Sequence, residues 1–163
     1  MSEPTFTLRL AKRDFKFSIA HFTLFGPMEA EPLHGHNYRV TVEVEGRELD
    51  EAGLLADCGD LKRRIRALCA ELDDRVVVPK ESEWLQVIDG DEAVEVRFAE
   101  RVYRLPAAEV VRLPIANTSM ELLARFFWEA LAASLPTDRI RELSVEIAET
   151  EGQSCAYRAP LPG

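Results

Sequence analysis

Strict alternation between residues 38 and 45 constrains this chain more than any other feature. Tyr38, Val40, Val42 and Val44 alternate with Arg39, Thr41, Glu43 and Glu45, the period-two pattern of a strand that buries one face and wets the other. Carried backward, the buried parity takes in His36 and His34. In a second run, Phe15, Phe17 and Ile19 share a parity with His21, while Lys16 and Ser18 take the other. The chain has 3 histidines in all, so each of them stands at the end of an apolar strand face.

This crowding has a chemical reading. Alternate residues on a strand point to one side, so His34 and His36 can aim both rings at one ion while His21 arrives from the neighbouring strand. Zn²⁺ accepts neutral imidazoles tetrahedrally, and catalytic zinc sites use three protein ligands with the fourth position open. An isolated histidine is more often an ordinary core or loop residue. Three on two inward-facing strand ends reverse that expectation, and His21, His34 and His36 are read as a zinc site.

Composition limits what such a site could serve. At 163 residues the chain is most simply one domain over residues 1–163, long enough to bury roughly two-thirds of its unfolded surface. Cys58, Cys69 and Cys155 are odd in number and lack metal-type spacing, which fits a reducing compartment better than a disulfide framework. Met1-Ser2-Glu3-Pro4-Thr5 has no basic stretch leading into an apolar one, and no apolar run approaches a membrane span. A soluble cytoplasmic protein without a membrane partner is expected. The net charge of −9 argues against nucleic acid, whose binding rests on a basic surface. It leaves room for a small phosphorylated substrate, since Arg9, Lys12, Arg13 and Lys16 cluster, as do Lys62, Arg63, Arg64 and Arg66. Most of these read as solvated faces of a strand and a helix.

The remaining elements follow from periodicity. Residues 5 to 21 alternate through Phe6, Leu8 and Leu10 and then through Phe15, Phe17 and Ile19, forming a hairpin with the strand at 36 to 45. The loop from Phe22 to Leu33 holds Gly26, Pro27 and Pro32 and is placed to carry reactive groups. Leu61, Ile65, Leu68 and Leu72 have helical spacing, with Asp57 or Asp60 as the cap. A second helix is expected from Thr118 to about Leu135, ended by Pro136. Between the helices, residues of about 78–116 read as an inserted hairpin around the Asp89-Gly90 turn signal. Leu143, Val145 and Ile147 form another alternating strand, and a short one containing Cys155 and Tyr157 follows Gly152. The order implies an α+β domain, an antiparallel sheet with two helices packed on one face.

Glu149 continues the inward parity of Leu143, Val145 and Ile147. A buried carboxylate needs a partner, and the parallel N–H donors of a pterin or guanine edge match one bidentately. Parity alone leaves this reading open beside a plainer one, a solvated residue in the turn before Gly152.

Five segments share an order and approximate spacing with a known family. Phe17-Ser18-Ile19-Ala20-His21, Leu33-His34-Gly35-His36-Asn37-Tyr38, Gly59-Asp60-Leu61-Lys62, Leu72-Asp73-Asp74-Arg75 and Ala148-Glu149-Thr150 resemble the 6-pyruvoyltetrahydropterin synthase family, which includes the 6-carboxytetrahydropterin synthases. The resemblance covers most of the chain outside residues 78–116. It implies the tunnelling fold, with subunits joined as homotrimers or homohexamers, and a role in tetrahydropterin biosynthesis. It implies further that His21, His34 and His36 hold Zn²⁺ and that Glu149 anchors the pterin ring. Asn117-Thr118-Ser119-Met120-Glu121 matches the family's Pro-Thr-x-Glu-Asn stretch in part. Glu121 is then a pocket residue, or else closes a capping box with Thr118.

Two departures bear on the chemistry. The family's cysteine before the His-Gly-His motif is absent, and the nearest acidic residues are Glu29 and Glu31. A subgroup carrying glutamate there resembles aldolase-type lyases, which makes Glu31 the candidate base. The histidine of the family's Asp-His pair is replaced, since this chain reads Asp73-Asp74. Adjacent carboxylates can share a proton, because like charges raise one pKa. The same two residues also make an ordinary polar stop to a helix. The expectation is a zinc-dependent lyase or synthase acting on 7,8-dihydroneopterin triphosphate or a related dihydropterin, by triphosphate elimination or side-chain cleavage. Its alternative is a homologue that binds zinc and pterin without efficient turnover.

Overall fold

The computed structural model describes residues 3 to 162, so Met1 and Ser2, part of the segment read for a targeting signal, lie outside the described residues. In chain order the strands and helices are β1 (Phe6–Leu10), β2 (Lys16–His21), β3 (His34–Gly46), α1 (Cys58–Leu72), β4 (Arg75–Pro79), β5 (Gln86–Asp89), β6 (Ala93–Phe98), β7 (Arg101–Pro106), β8 (Val110–Leu113), α2 (Met120–Ala132), β9 (Ile140–Thr150) and β10 (Gln153–Pro160).

The long strand β3 organises the sheet. Its first half pairs antiparallel with β2, from His34 opposite His21 to Arg39 opposite Lys16. Its second half takes β1, from Val42 opposite Leu10 to Gly46 opposite Phe6. The alternation read through residues 5 to 21 is therefore two strands laid end to end along one partner, separated where Phe15 N–H bonds to the Lys12 carbonyl at 3.1 Å. On the other side of β3 lies β9, then β10, giving the order β10-β9-β3-β2-β4-β8. The β2–β4 and β4–β8 pairs are parallel, so two parallel rungs extend the expected antiparallel sheet. Parallel neighbours require a long crossover; β3 with α1 supplies the first, and the chain between β4 and β8 supplies the second.

Both helices cover one face of this sheet. Leu61, Ile65, Cys69 and Leu72 of α1 and Leu123, Phe127 and Leu131 of α2 are buried against Phe15, Phe17, Val42, Leu143 and Ile147. Phe17 stacks between Tyr38 and Phe127, with ring centroids 5.2 and 5.5 Å away. Asp57 is the cap of α1, accepting from Gly59 N at 2.7 Å and Asp60 N at 3.2 Å, while Asp60 sits in the first turn. The second helix starts two residues later than expected. Its cap is Ser119, which accepts from Leu122 N at 3.4 Å, because the Thr118 hydroxyl is directed to the Phe22 carbonyl at 2.9 Å.

Between β4 and β8 the chain forms a three-stranded antiparallel meander, β5-β6-β7, where a hairpin was expected. Val94, Val96 and Phe98 of the meander bury a second apolar cluster together with Phe22, Leu24 and Val78. The loop that follows β2 is thus held between the meander and the main sheet.

Candidate metal centre

Because His21 and His34 face one another across the β2–β3 ladder and His36 follows on the same parity, the three rings meet. Their centroids are 4.7 to 5.6 Å apart. Glu149, on β9 beyond β3, reaches the same point, with Oε1 2.5 Å from His36 Nε2. One ligand atom from each of His21, His34, His36 and Glu149 lies within 4.8 Å of the others. Three imidazoles and a carboxyl group suit Zn²⁺ in ligand type and number.

The hydrogen bonds around the rings set their tautomers. His34 Nδ1 lies 2.7 Å from the Pro32 carbonyl, which can only accept, so Nδ1 carries a proton and Nε2 is the atom turned toward the cluster and Glu31. Thr118 donates its single hydroxyl proton to Phe22 O; its oxygen can then only accept from His21 Nδ1, 3.3 Å away. His21 Nε2 is left as an acceptor and takes the Tyr38 hydroxyl at 2.9 Å. Burial above all, and then the nearness of His34 and His36, lowers the His21 pKa to about 4, so the ring is neutral near pH 7, the form that binds metal. Burial, with the charges of Glu149 and Glu31, pushes the Tyr38 phenol up and keeps it a donor.

Glu31 stands beside this group. Its Oε2 accepts from Thr23 N at 3.0 Å and is 3.7 Å from His34 Nε2. Burial pulls the carboxyl up, but hydrogen bonds from Thr23 and then the facing His34 and His21 outweigh it and hold it below its ordinary value. Glu31, Glu121, Glu149, His21 and Tyr38 line one cavity of about 170 Å³. Glu121 is exposed there, in the first turn of α2, with Ser119 in the cap position.

Asp73 and Asp74 are placed elsewhere. Asp73 Oδ1 accepts from Ser18 N at 2.8 Å, and Asp74 N–H donates to Ser18 O at 2.8 Å, so the pair joins the end of α1 to the edge of β2. Asp74 adopts φ 58°, a left-handed conformation that aspartate tolerates better than most residues. Ser18 precedes His21 by three residues, roughly 10 Å along a strand, and has the opposite parity. Both aspartates and Glu149 line a wider cleft of about 880 Å³ with Lys16, Asn37 and Arg39. A shallow depression of about 290 Å³ touches both His36 and Asp74.

Comparison with known proteins agrees with this architecture. The model of the family described as 6-pyruvoyl tetrahydropterin synthase matches residues 10–160. The chain belongs to this family. A provisionally named 6-carboxy-5,6,7,8-tetrahydropterin synthase of Methanocaldococcus jannaschii is 30% identical over 149 residues, covering 90% of this chain and 91% of the relative. A provisionally named counterpart in Pyrococcus horikoshii is 33% identical over 135 residues, 82% of this chain and 80% of its own length. Among solved structures, Plasmodium vivax 6-pyruvoyltetrahydropterin synthase superposes with a TM-score of 0.89 at 24% identity, over 97% of this chain and 99% of that one. That enzyme has also been solved as a catalytic-residue variant with a glutamate replaced by alanine. The family is one of pterin synthases and lyases, and among the described residues no helix is long and apolar enough to cross a membrane.

Several site residues gave no usable signal in the sequence. Tyr38 shares the histidines' parity and reads there as one more core aromatic. Thr118 reads as a helix cap. Asn117, whose side chain accepts from Leu24 N at 3.0 Å and donates to Leu24 O at 2.9 Å, carries no pattern of its own.

Proposed function

We propose that the protein is a zinc-dependent lyase or synthase acting on 7,8-dihydroneopterin triphosphate or a related dihydropterin, with Glu31 as the base. The observation that carries this reading is the Glu31 carboxylate, 3.7 Å from His34 and lining one cavity with His21 and Glu149. His21, His34 and His36 would hold the ion, which supplies a Lewis acid able to polarise a side-chain oxygen of the substrate. Glu31, held ionised by its Thr23 bonds, accepts a proton from the substrate side chain. A catalytic glutamate in the Plasmodium vivax enzyme supports a carboxylate in this role. A thiol has little claim to it. Among the described residues no cysteine lines the cavity, and burial, followed by the charges of Asp73 and Asp14, drives Cys69 up to about 12.

Glu149 stands where the histidine cavity meets the wider cleft, and its carboxylate fits the paired N–H donors of a pterin edge. Glu121 lines the same cavity as a substrate-binding residue. Asp73 and Asp74, bonded to Ser18 on the outward parity of β2, would serve a site completed by a second copy in a homotrimer or homohexamer. Residues 1–163 act as one domain, and the cytoplasm is the compartment we assign.

The 2.5 Å contact between His36 and Glu149 favours a second reading, in which Glu149 is a fourth ligand. Four protein ligands close a zinc site in the manner of structural centres, giving a homologue that binds zinc and pterin without efficient turnover. Incubation with zinc and dihydroneopterin triphosphate, followed by mass identification of pterin products, tests the lyase directly. Pterin bound without product favours the closed site. Glu149→Ala separates the two roles: zinc retained with pterin binding lost marks the pterin anchor, whereas lost zinc marks the fourth ligand. Glu31→Gln is expected to lower kcat by about 10²–10⁴-fold, the usual weight of a general base, with zinc content unchanged; full activity would remove Glu31 as the base.

A further inference from the structure

We propose that Arg101, in the meander, is a positioning residue that braces the loop bearing Glu31; the proposal rests on reading Glu31 as the base. The loop from Phe22 to Leu33 is a short, irregular hairpin. Its arms are joined by a bridge between Leu24 and Ala30, by Glu31 N–H donating to Thr23 O at 3.0 Å, and by Phe25 N–H donating to Glu29 O at 2.8 Å. The outgoing arm is latched by Asn117, through both polar groups of the Leu24 backbone. The returning arm, which carries Glu31, is held from the meander.

There Arg101 Nη1 donates to the Glu31 carbonyl at 2.7 Å and Nη2 donates to the Ala30 carbonyl at 3.1 Å. A planar guanidinium has a fixed fork of donors, and its two ends on successive carbonyls restrict the two peptides that flank the Glu31 α-carbon. The fork is itself constrained, since its carbon lies 5.9 Å from the centre of the Phe98 ring and Phe98 is buried in the meander's cluster. Arg101 donates to the main chain of the loop and leaves the Glu31 carboxylate to Thr23 and His34. It therefore acts by setting where the base stands. The inserted sheet, which sequence motifs connect to no chemistry, acquires a function as the rigid support for this arm.

The test compares Arg101→Ala, Arg101→Lys and the control Arg104→Ala, an exposed residue of the same strand, in full-length zinc-loaded protein. For Arg101→Ala, kcat is expected to fall about 10- to 100-fold, the scale of an ångström-level misplacement, with KM, zinc content and melting temperature unchanged. Arg101→Lys should restore part of the loss, and Arg104→Ala should behave as wild type. Amide hydrogen exchange gives a second readout independent of turnover. In Arg101→Ala the amides of Phe25 and Glu31 should exchange at least about tenfold faster, while those of β2 and β3 keep their protection. Wild-type kcat in Arg101→Ala overturns the proposal, whatever the exchange shows. If wild-type protein makes no pterin product, the lyase reading fails separately, and exchange alone decides whether Arg101 braces the loop: unchanged exchange at Phe25 and Glu31 then overturns it.

Discussion

Single hydroxyls and carbonyls decide what the histidines can do. Thr118 illustrates the point, because its only proton goes to Phe22 O and its oxygen therefore faces His21 Nδ1–H. Partners of this kind orient metal-binding imidazoles, and their loss typically weakens metal affinity about 10–100-fold. Thr118→Val, which keeps the shape and removes the hydroxyl, is predicted to weaken zinc by that factor, whereas Thr118→Ser should retain most of the affinity. Competition with a chelating dye measures both, and equal affinity in the valine variant would show that Thr118 does not orient the ring. The histidines themselves were legible from strand parity, since a period of two leaves no choice of face. Thr118 was not. A threonine ahead of a helix fits a cap by sequence, and only the approach of Phe22 from 96 positions away reveals its other task. The same limit applies to Glu149: parity carries it inward, but its 2.5 Å approach to His36 depends on how β9 lies against β3.

Among the elements, those with a strong single period were readable, and those without one were not. α1 shows its buried stripe plainly, and Asp57 caps it through two N–H groups. Asp57→Ala is expected to lower stability by about 1 kcal/mol, read as a shift in urea midpoint without a change in slope. α2 places Phe127 against Phe17 at the centre of the core. Phe127→Ala should be severe, about 3–5 kcal/mol for an aromatic truncated to alanine in a packed interior; a loss below about 1 kcal/mol would mean that the cavity collapses freely. By contrast β4, whose Val76-Val77-Val78 is a continuous apolar run, has no periodicity to separate it from the end of a helix. β8 spans four residues and pairs only because β4 lies beside it. Such parallel edges are products of tertiary placement, and so the mixed character of the sheet lay beyond a reading of local pattern.

At the scale of the molecule, the candidate groups divide between two sides of one ladder. The histidines, Glu31 and Glu149 converge at the inward end of β2 and β3. Asp73 and Asp74 are fastened to Ser18 on the other parity, roughly 10 Å back along the strand. An assembly of copies would offer a way for both sets to meet, since a closed ring sets one subunit's outward face against its neighbour. The main sheet ends in β10 and β8, and edge strands of this kind are natural templates for pairing with another chain. Native mass measurement is expected to give a trimer or hexamer. The sharper prediction concerns variants. If each site joins His36 of one copy with Asp74 of another, His36→Ala and Asp74→Ala are each inactive alone. Unfolding and refolding them together in equal amounts should then restore up to about a quarter of the sites, the fraction in which random assembly unites two intact partners. A site confined to one chain recovers nothing on mixing, and that outcome would overturn the shared site. An Asp74→Ala protein with full activity would instead leave the aspartate pair its structural task, the clamp between α1 and β2.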